Sequence, residues 1–191
     1  IQCGGKHRIP TVIKALKKLN VPVSSICDFD VLNDTNPLKK IYEESNGEWK
    51  DIEKDWKIVK DAIESKRPEL EVKKLKEKID EIFDTINEKT MPKGKISEIG
   101  KSLKKASAWA HAKQVGKSFI PSGQATQAYE RLIQNLKSKN VYIVEFGELE
   151  SFVKSIGNHG PKWVNEVLAK DLINDPEIES ARKFMEEISQ K

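Results

Sequence analysis

Two aspartates, Asp28 and Asp30, stand one residue apart in "Ser-Ile-Cys-Asp-Phe-Asp-Val-Leu" (25–32), a run otherwise apolar enough to be a buried strand. In an extended segment alternate side chains share a face, so the two carboxylates point together while Phe29 points into the core. Carboxylates held a few ångströms apart either share a proton, with one pKa raised, or bind a cation. Mg²⁺ suits the second arrangement, because it binds through one or two carboxylates and keeps waters for a phosphate substrate. Plain solvation at the mouth of a strand, where loops are polar, is the third arrangement. Later in the chain "Gly-Glu-Leu-Glu" (147–150) supplies Glu148 and Glu150, and "Gly-Asn-His-Gly-Pro-Lys-Trp" (157–163) supplies His159 and Lys162.

Other motifs are set aside on their spacing. "Val-Gly-Lys-Ser" (115–118) has the end of a phosphate-binding loop, but the first glycine of that loop would fall on His111, and "Gly-Gly-Lys" (4–6) also lacks the spacing. His159 sits in a glycine-rich turn before a helix, where it either satisfies loop backbone or contacts a phosphate. His111 falls mid-helix and carries no role. Cys3 and Cys27 both fall in strand-like segments and read as reduced core residues, since zinc wants four ligands and no histidine lies at a ligand spacing from either.

The elements that must position these groups read as follows. Residues 1–3 look like the end of a strand running into Gly4-Gly5. Pro10 opens a helix that carries Val12, Ile13, Leu16 and Leu19 on one face and stops at Asn20. Residues 21–29 form a second strand, so the opening is a β-turn-α-β unit, which implies a parallel pair with a right-handed crossover. A short helix follows Pro37. From 51 the apolar residues Ile52, Trp56, Val59 and Ile63 step by four and three, and Val72, Leu75, Ile79, Ile82 and Ile86 repeat the rhythm after Pro68. Two such seams predict an antiparallel coiled-coil hairpin over 48–90, inserted into the domain either as a rigid arm with solvated Lys/Glu faces or, less in keeping with its interleaved acids, as a nucleic-acid-binding arm. Further helices are expected over 96–114, 123–138, from 148, from Pro161 and near Pro176. Phe119-Ile120 reads as a short strand and 141–146 as the clearest strand in the chain. The fold class is therefore α/β, a parallel sheet of three to four strands flanked by helices, forming one domain over 1–191 with the helical hairpin inserted. In such sheets ligands bind beyond the carboxyl ends of the strands, where Gly4-Gly5, Asp28 with Asp30, and Glu148 with Glu150 would meet.

The bulk numbers agree with a soluble, helix-rich chain of 191 residues, 37% hydrophobic and 34% charged. An excess of 34 basic over 30 acidic residues is too small to argue for nucleic acid by itself. No apolar run approaches the roughly 18 residues that span a bilayer, so no membrane contact is expected and the cytoplasm is the expected compartment. The start inside a strand, without Met, reads as a piece of a longer polypeptide.

In this arrangement "Ile-Gln-Cys-Gly-Gly-Lys-His", "Cys-Asp-Phe-Asp-Val-Leu", "Val-Glu-Phe-Gly-Glu-Leu-Glu-Ser-Phe" and "His-Gly-Pro-Lys-Trp-Val" resemble the segments of a Toprim domain, specifically the C-terminal one of OLD-family ATPases linked to DNA cleavage and phage defence. The resemblance implies a Toprim-like fold, DNA and an ATPase domain earlier in the same chain as partners, and a homodimer as assembly. It also implies a Mg²⁺ or Mn²⁺ site on Asp28, Asp30 and Glu148, with Glu150 beside it and Lys162 steadying the phosphate during phosphodiester cleavage. The position that matches the family's first-strand glutamate is Cys3. A neutral thiol does not replace an oxygen ligand for a hard cation and is a weak base for water, so a Toprim-like module that binds DNA or a protein partner without chemistry is the second expectation.

Overall fold

A fixed φ starts the first helix: Pro10 sits in the first turn of α1 (Ile9–Lys18), and Asn20, at φ 57°, turns the chain out of it. The computed structural model describes residues 3–66, 72–105, 107–157 and 160–190. After α1 come β1 (Ser25–Cys27), a 3-10 turn over Phe29–Asn33 and α2 (Thr35–Glu44). Next follow α3 (Trp49–Ser65), α4 (Val72–Asp84), α5 (Lys93–Lys105), α6 (Ala108–Val115), a 3-10 turn over Gly116–Phe119 and α7 (Gln124–Ser138). The chain ends with β2 (Val141–Ile143), a 3-10 turn over Leu149–Phe152, α8 (Pro161–Ala169) and α9 (Glu179–Ser189).

The structure is mostly helical, around a small sheet in which β1 and β2 pair in parallel. Ser25 lies opposite Val141, Ile26 opposite Tyr142 and Cys27 opposite Ile143. This is an α/β arrangement, but with two strands among the described residues rather than three or four. Residues 1 and 2 lie outside the described residues, and Cys3 is in an irregular turn. Phe119 and Ile120 are buried as expected of a strand, yet they leave a 3-10 turn and join no ladder, because helix packing rather than strand pairing covers them. The ladder over 141–146 is likewise short: Val144 donates its N–H to the Cys27 carbonyl at 2.9 Å, and the chain turns at Gly147, φ 115°.

The expected coiled-coil hairpin is a second difference. Trp49, Ile52, Trp56, Val59 and Ile63 are all buried, but α3 packs along α7 and α4 packs along α5. Two polar anchors draw α3 inward. The Trp56 indole N–H donates to the Leu32 carbonyl at 2.8 Å, and Arg131 of α7 clamps Asp55 through Nη2 at 2.6 Å and Nε at 3.1 Å. Pro68, between the two helices, lies outside the described residues. The helix expected over 96–114 is split, since Ser107 opens α6 by accepting the Ala110 N–H at 3.1 Å.

The main core joins Phe29, Leu32, Leu38 and Ile41 to Ile52, Val59, Ile63, Leu132, Leu136 and Ile143, while Val144, Phe152, Val153, Ile156, Trp163 and Leu172 form a second cluster. No described helix is long and apolar enough to cross a membrane. Replacing Trp56 by Phe keeps most of the ring volume and leaves the buried Leu32 carbonyl without its donor. Urea unfolding should then show a loss of about 1–3 kcal/mol, and an unchanged midpoint would show that the anchor is not needed.

Candidate functional site

The two strands stop together, and three backbone contacts tie the loops that follow them. The Phe29 N–H donates to the Gly147 carbonyl at 2.6 Å, Val144 bonds Cys27 as described, and the Lys117 N–H donates to the Glu145 carbonyl at 2.8 Å. Two glycines permit the approach. A Cβ on Gly116 (φ 62°) would strike the Glu145 carbonyl, and one on Gly147 would strike the Lys113 carbonyl. The end of α6 is thereby held against the loop after β2, close to the loop after β1.

Asp28 keeps an extended backbone, φ −61° and ψ 156°, and Phe29, fully buried, starts the 3-10 turn that carries Asp30. Both aspartates line one groove, together with Cys3, Gly4, Lys6, His7 and Lys113. Asp28 Oδ1 accepts the Leu149 N–H at 3.1 Å, which fastens the first acidic loop to the second. Lys6 reaches the Asp30 carboxylate at 3.1 Å, the Asp30 carbonyl at 3.0 Å and the Asp34 carboxylate at 2.8 Å. Lys113 meets Glu148 at 3.3 Å. Glu150 accepts the Gly160 N–H at 3.0 Å, which ties the late loop to the first turn of α8.

Burial is the main force on these groups. It pushes the Asp28 carboxyl up, and the nearby Asp30 and Glu150 charges add to it, against the Leu149 N–H and the Lys113 ammonium, which stabilise the anion. Burial also acts to lower both lysines, but the carboxylates around them outweigh it: Asp34 and Asp30 for Lys6, Asp30, Glu148 and Asp28 for Lys113. Each lysine therefore ends above its ordinary value. Cys27 is pushed up to about 12, first by burial and then by Asp28, Cys3 and Asp30, so it is an inert thiol rather than a nucleophile.

Of the residues expected from the sequence, Asp28 and Asp30 line the groove, whereas Glu148 and Glu150 do not line it and flank Leu149, whose N–H bonds Asp28. Lys162 is exposed on the first turn of α8 and does not line the groove. Lys6 and Lys113 take the cationic places instead. The sequence singles out neither: "Gly-Gly-Lys" only lacks the spacing of a phosphate loop, and Lys113 sits in a helix that Gly116 must stop before it faces the acids. The signal for them is general, since a half-buried acidic cluster requires cations, but it does not say which. His7 lines the groove, the His111 ring packs on Phe119 at 5.1 Å, and His159 lies outside the described residues.

For Mg²⁺ or Mn²⁺ the donors are the right chemistry in the wrong arrangement. Among the described residues no three carboxylate, His or Cys groups stand close enough to hold one ion. Asp30 and Glu148 each face an ammonium group, and Asp28 faces a peptide N–H. The set as it stands does not fit a divalent cation.

Two outcomes check this geometry. The raised Asp28 pKa contributes stability that is fully present below the unfolded value of about 3.9 and is lost as pH rises through the native value. An Asp28→Asn variant, whose Oδ1 still accepts the Leu149 N–H, should unfold at a higher temperature than the parent at pH 7, with the gap closing toward acid; a lower midpoint at pH 7 would contradict the burial argument. Gly147→Ala should cost at least about 1–2 kcal/mol from its left-handed φ alone, read by urea unfolding, because the Lys113 carbonyl leaves no room for relaxation.

Set against known protein families, curated proteins and solved structures, the chain matches none of them, so its chemistry is read from its own residues.

Proposed function

We propose that the chain is a Toprim-like module of a longer, DNA-related ATPase, and that it binds a partner at the ends of its strands without performing chemistry. The supporting observation is the pairing of the acids with Lys6 and Lys113. A nuclease site needs carboxylates free to hold ions that activate water and stabilise a leaving oxygen. Here the ammonium groups already neutralise Asp30, Asp34 and Glu148 at 2.8–3.3 Å. With Asp28 counted, four carboxylates face two lysines, so the rim keeps an acidic excess that repels a DNA phosphate approaching without a cation. Cys3, in the place where the family resemblance expects an acid, adds no oxygen ligand.

A second reading is favoured by Asp28 and Asp30 lining one groove, with Glu148 and Glu150 flanking the Leu149 whose N–H bonds Asp28. In it Mg²⁺ or Mn²⁺ displaces the lysines, and the module cleaves phosphodiesters. Calorimetry with MnCl₂ separates the two. The binding module should take up no stoichiometric Mn²⁺ and should not nick supercoiled DNA, while a Lys6→Met variant, with Asp30 and Asp34 uncovered, should gain weak Mn²⁺ binding. Tight one-to-one uptake by the parent, with nicking lost in an Asp28→Ala/Asp30→Ala variant, would reverse the assignment.

A further inference from the structure

Helices α4 and α5 stand apart from both cores. Among the described residues neither core takes a side chain from 72–105, and Ile82, although buried, belongs to neither. The two helices instead pack on each other across the link 85–92, a connection short enough to make them antiparallel neighbours. Ile82 of α4 and Ser102 of α5 are buried and mark the seam, whereas Leu75, Ile79, Ile86 and Ile99 are only half-buried. An apolar helix stripe is sealed by packing against further elements, and this seam is left half-covered.

One side of the pair is apolar well beyond the seam. Phe83, Ile96 and Leu103 are 49%, 55% and 50% exposed. Phe83 follows Ile82 in α4, Leu103 follows Ser102 in α5, and Ile96 lies two turns before Leu103 on the same stripe. In an antiparallel pair the residue after each seam residue turns to the same side, so the three share one face. α5 is also the basic element of the chain. It holds five lysines and one glutamate, an excess of four that equals the excess of the whole protein. Its one acid, Glu98, is already paired with Lys95 at 3.1 Å. An exposed apolar stripe beside an excess of lysine describes the occupant. A nucleic acid backbone would leave the stripe in water, and a second copy would bring the same positive charge against α5. An anionic bilayer would meet Asp80, exposed one turn before Phe83. An amphipathic helix with carboxylates on one edge answers both the stripe and the lysines.

We propose that the α4–α5 pair receives an acidic amphipathic helix of a partner protein as the third helix of a bundle, with its apolar side on Phe83, Ile96 and Leu103 and its carboxylates along α5. Helices bound in this way present anchors three, four and seven residues apart, and Ile96 and Leu103 offer the matching two-turn interval. The apolar contacts supply affinity, and the charge on α5 speeds the encounter and fixes which edge of the helix lies on which side. This face is separate from the strand ends, and its occupancy is independent of what binds there.

The probe is a fluorescein-labelled peptide of leucine, alanine and glutamate, with leucines at 3-4 spacing and glutamates on one edge, followed by anisotropy against the intact chain. Saturable one-to-one binding is expected, with more helical circular dichroism in the mixture than in the separate components. Ile96→Ser and Leu103→Ser should each weaken binding about tenfold, the worth of covering a half-exposed side chain of this size. Both side chains are exposed enough that the fold should tolerate the change, which an unchanged urea midpoint confirms. Exchange of the peptide's glutamates for lysines tests the charge without altering the protein and should abolish saturable binding, and added salt should weaken the original pair. Absence of saturable binding, or binding indifferent to the serine variants or to the lysine peptide, overturns the proposal. Two rival occupants overturn it as well: self-association in sedimentation that Leu103→Ser removes assigns the face to a second copy, and binding to phosphatidylserine vesicles that Leu103→Ser removes assigns it to a membrane. The MnCl₂ titration reads the strand ends alone, so the failure of either reading leaves the other standing.

Discussion

Two backbone hydrogen bonds just past the strand ends hold the rim together: the Val144 N–H to the Cys27 carbonyl, and the Phe29 N–H to the Gly147 carbonyl. Asp28 lies between Cys27 and Phe29, so both of its neighbours are fixed to the loop after β2. Phe29 is fully buried and anchors the turn from the other side. The aspartate therefore cannot swing its backbone toward water. Gly147 completes the restraint, since only a residue without Cβ lets the Lys113 carbonyl approach the same loop.

Once the acids are held there, electrostatics dictates the rest. Half-buried carboxylates without counter-charges would be costly, and the two lysines that answer come from opposite parts of the chain, the first turn and α6. Burial alone would lower both ammonium groups, yet both end above the ordinary lysine value. Their contribution is thus complete at neutral pH and fades only as pH climbs through those raised values. The cluster answers how adjacent aspartates are tolerated in an apolar run: Asp30 by Lys6, and Asp28 by a peptide N–H and by a carboxyl that ionises reluctantly.

Local signals were legible in the sequence and distant ones were not. Pro10, Asn20 and Pro161 each favour a backbone angle by their own chemistry, and the helices they bound lie where the pattern puts them. The 3-4 rhythm of Ile52, Trp56, Val59 and Ile63 correctly marks a buried helix face but carries no label for its partner. Arg131 and Leu32 choose α7 and the main core, and both lie far away in sequence. For the site, alternation is only partly right: β1 ends at Cys27 and Asp30 sits in a 3-10 turn rather than an extended segment, yet both aspartates line the groove. The lysines that cover the acids stayed invisible because an ion pair depends on a fold and not on a spacing.

Stability and placement are separate tasks in this chain. Two strands of three residues bury too little to hold a domain, and most of the side chains of the main core come from α2, α3 and α7. The sheet instead divides the apolar interior: Val141 and Ile143 belong to the main core, whereas Val144 belongs to the second cluster with Phe152 and Trp163. The rim stands where these two cores adjoin. Leu149 reaches Asp28 through its N–H, and Glu150 reaches the start of α8, whose Trp163 packs in the second cluster. A short ladder suffices for this arrangement because it need only bring two loop ends together, and the helices on either side keep them there.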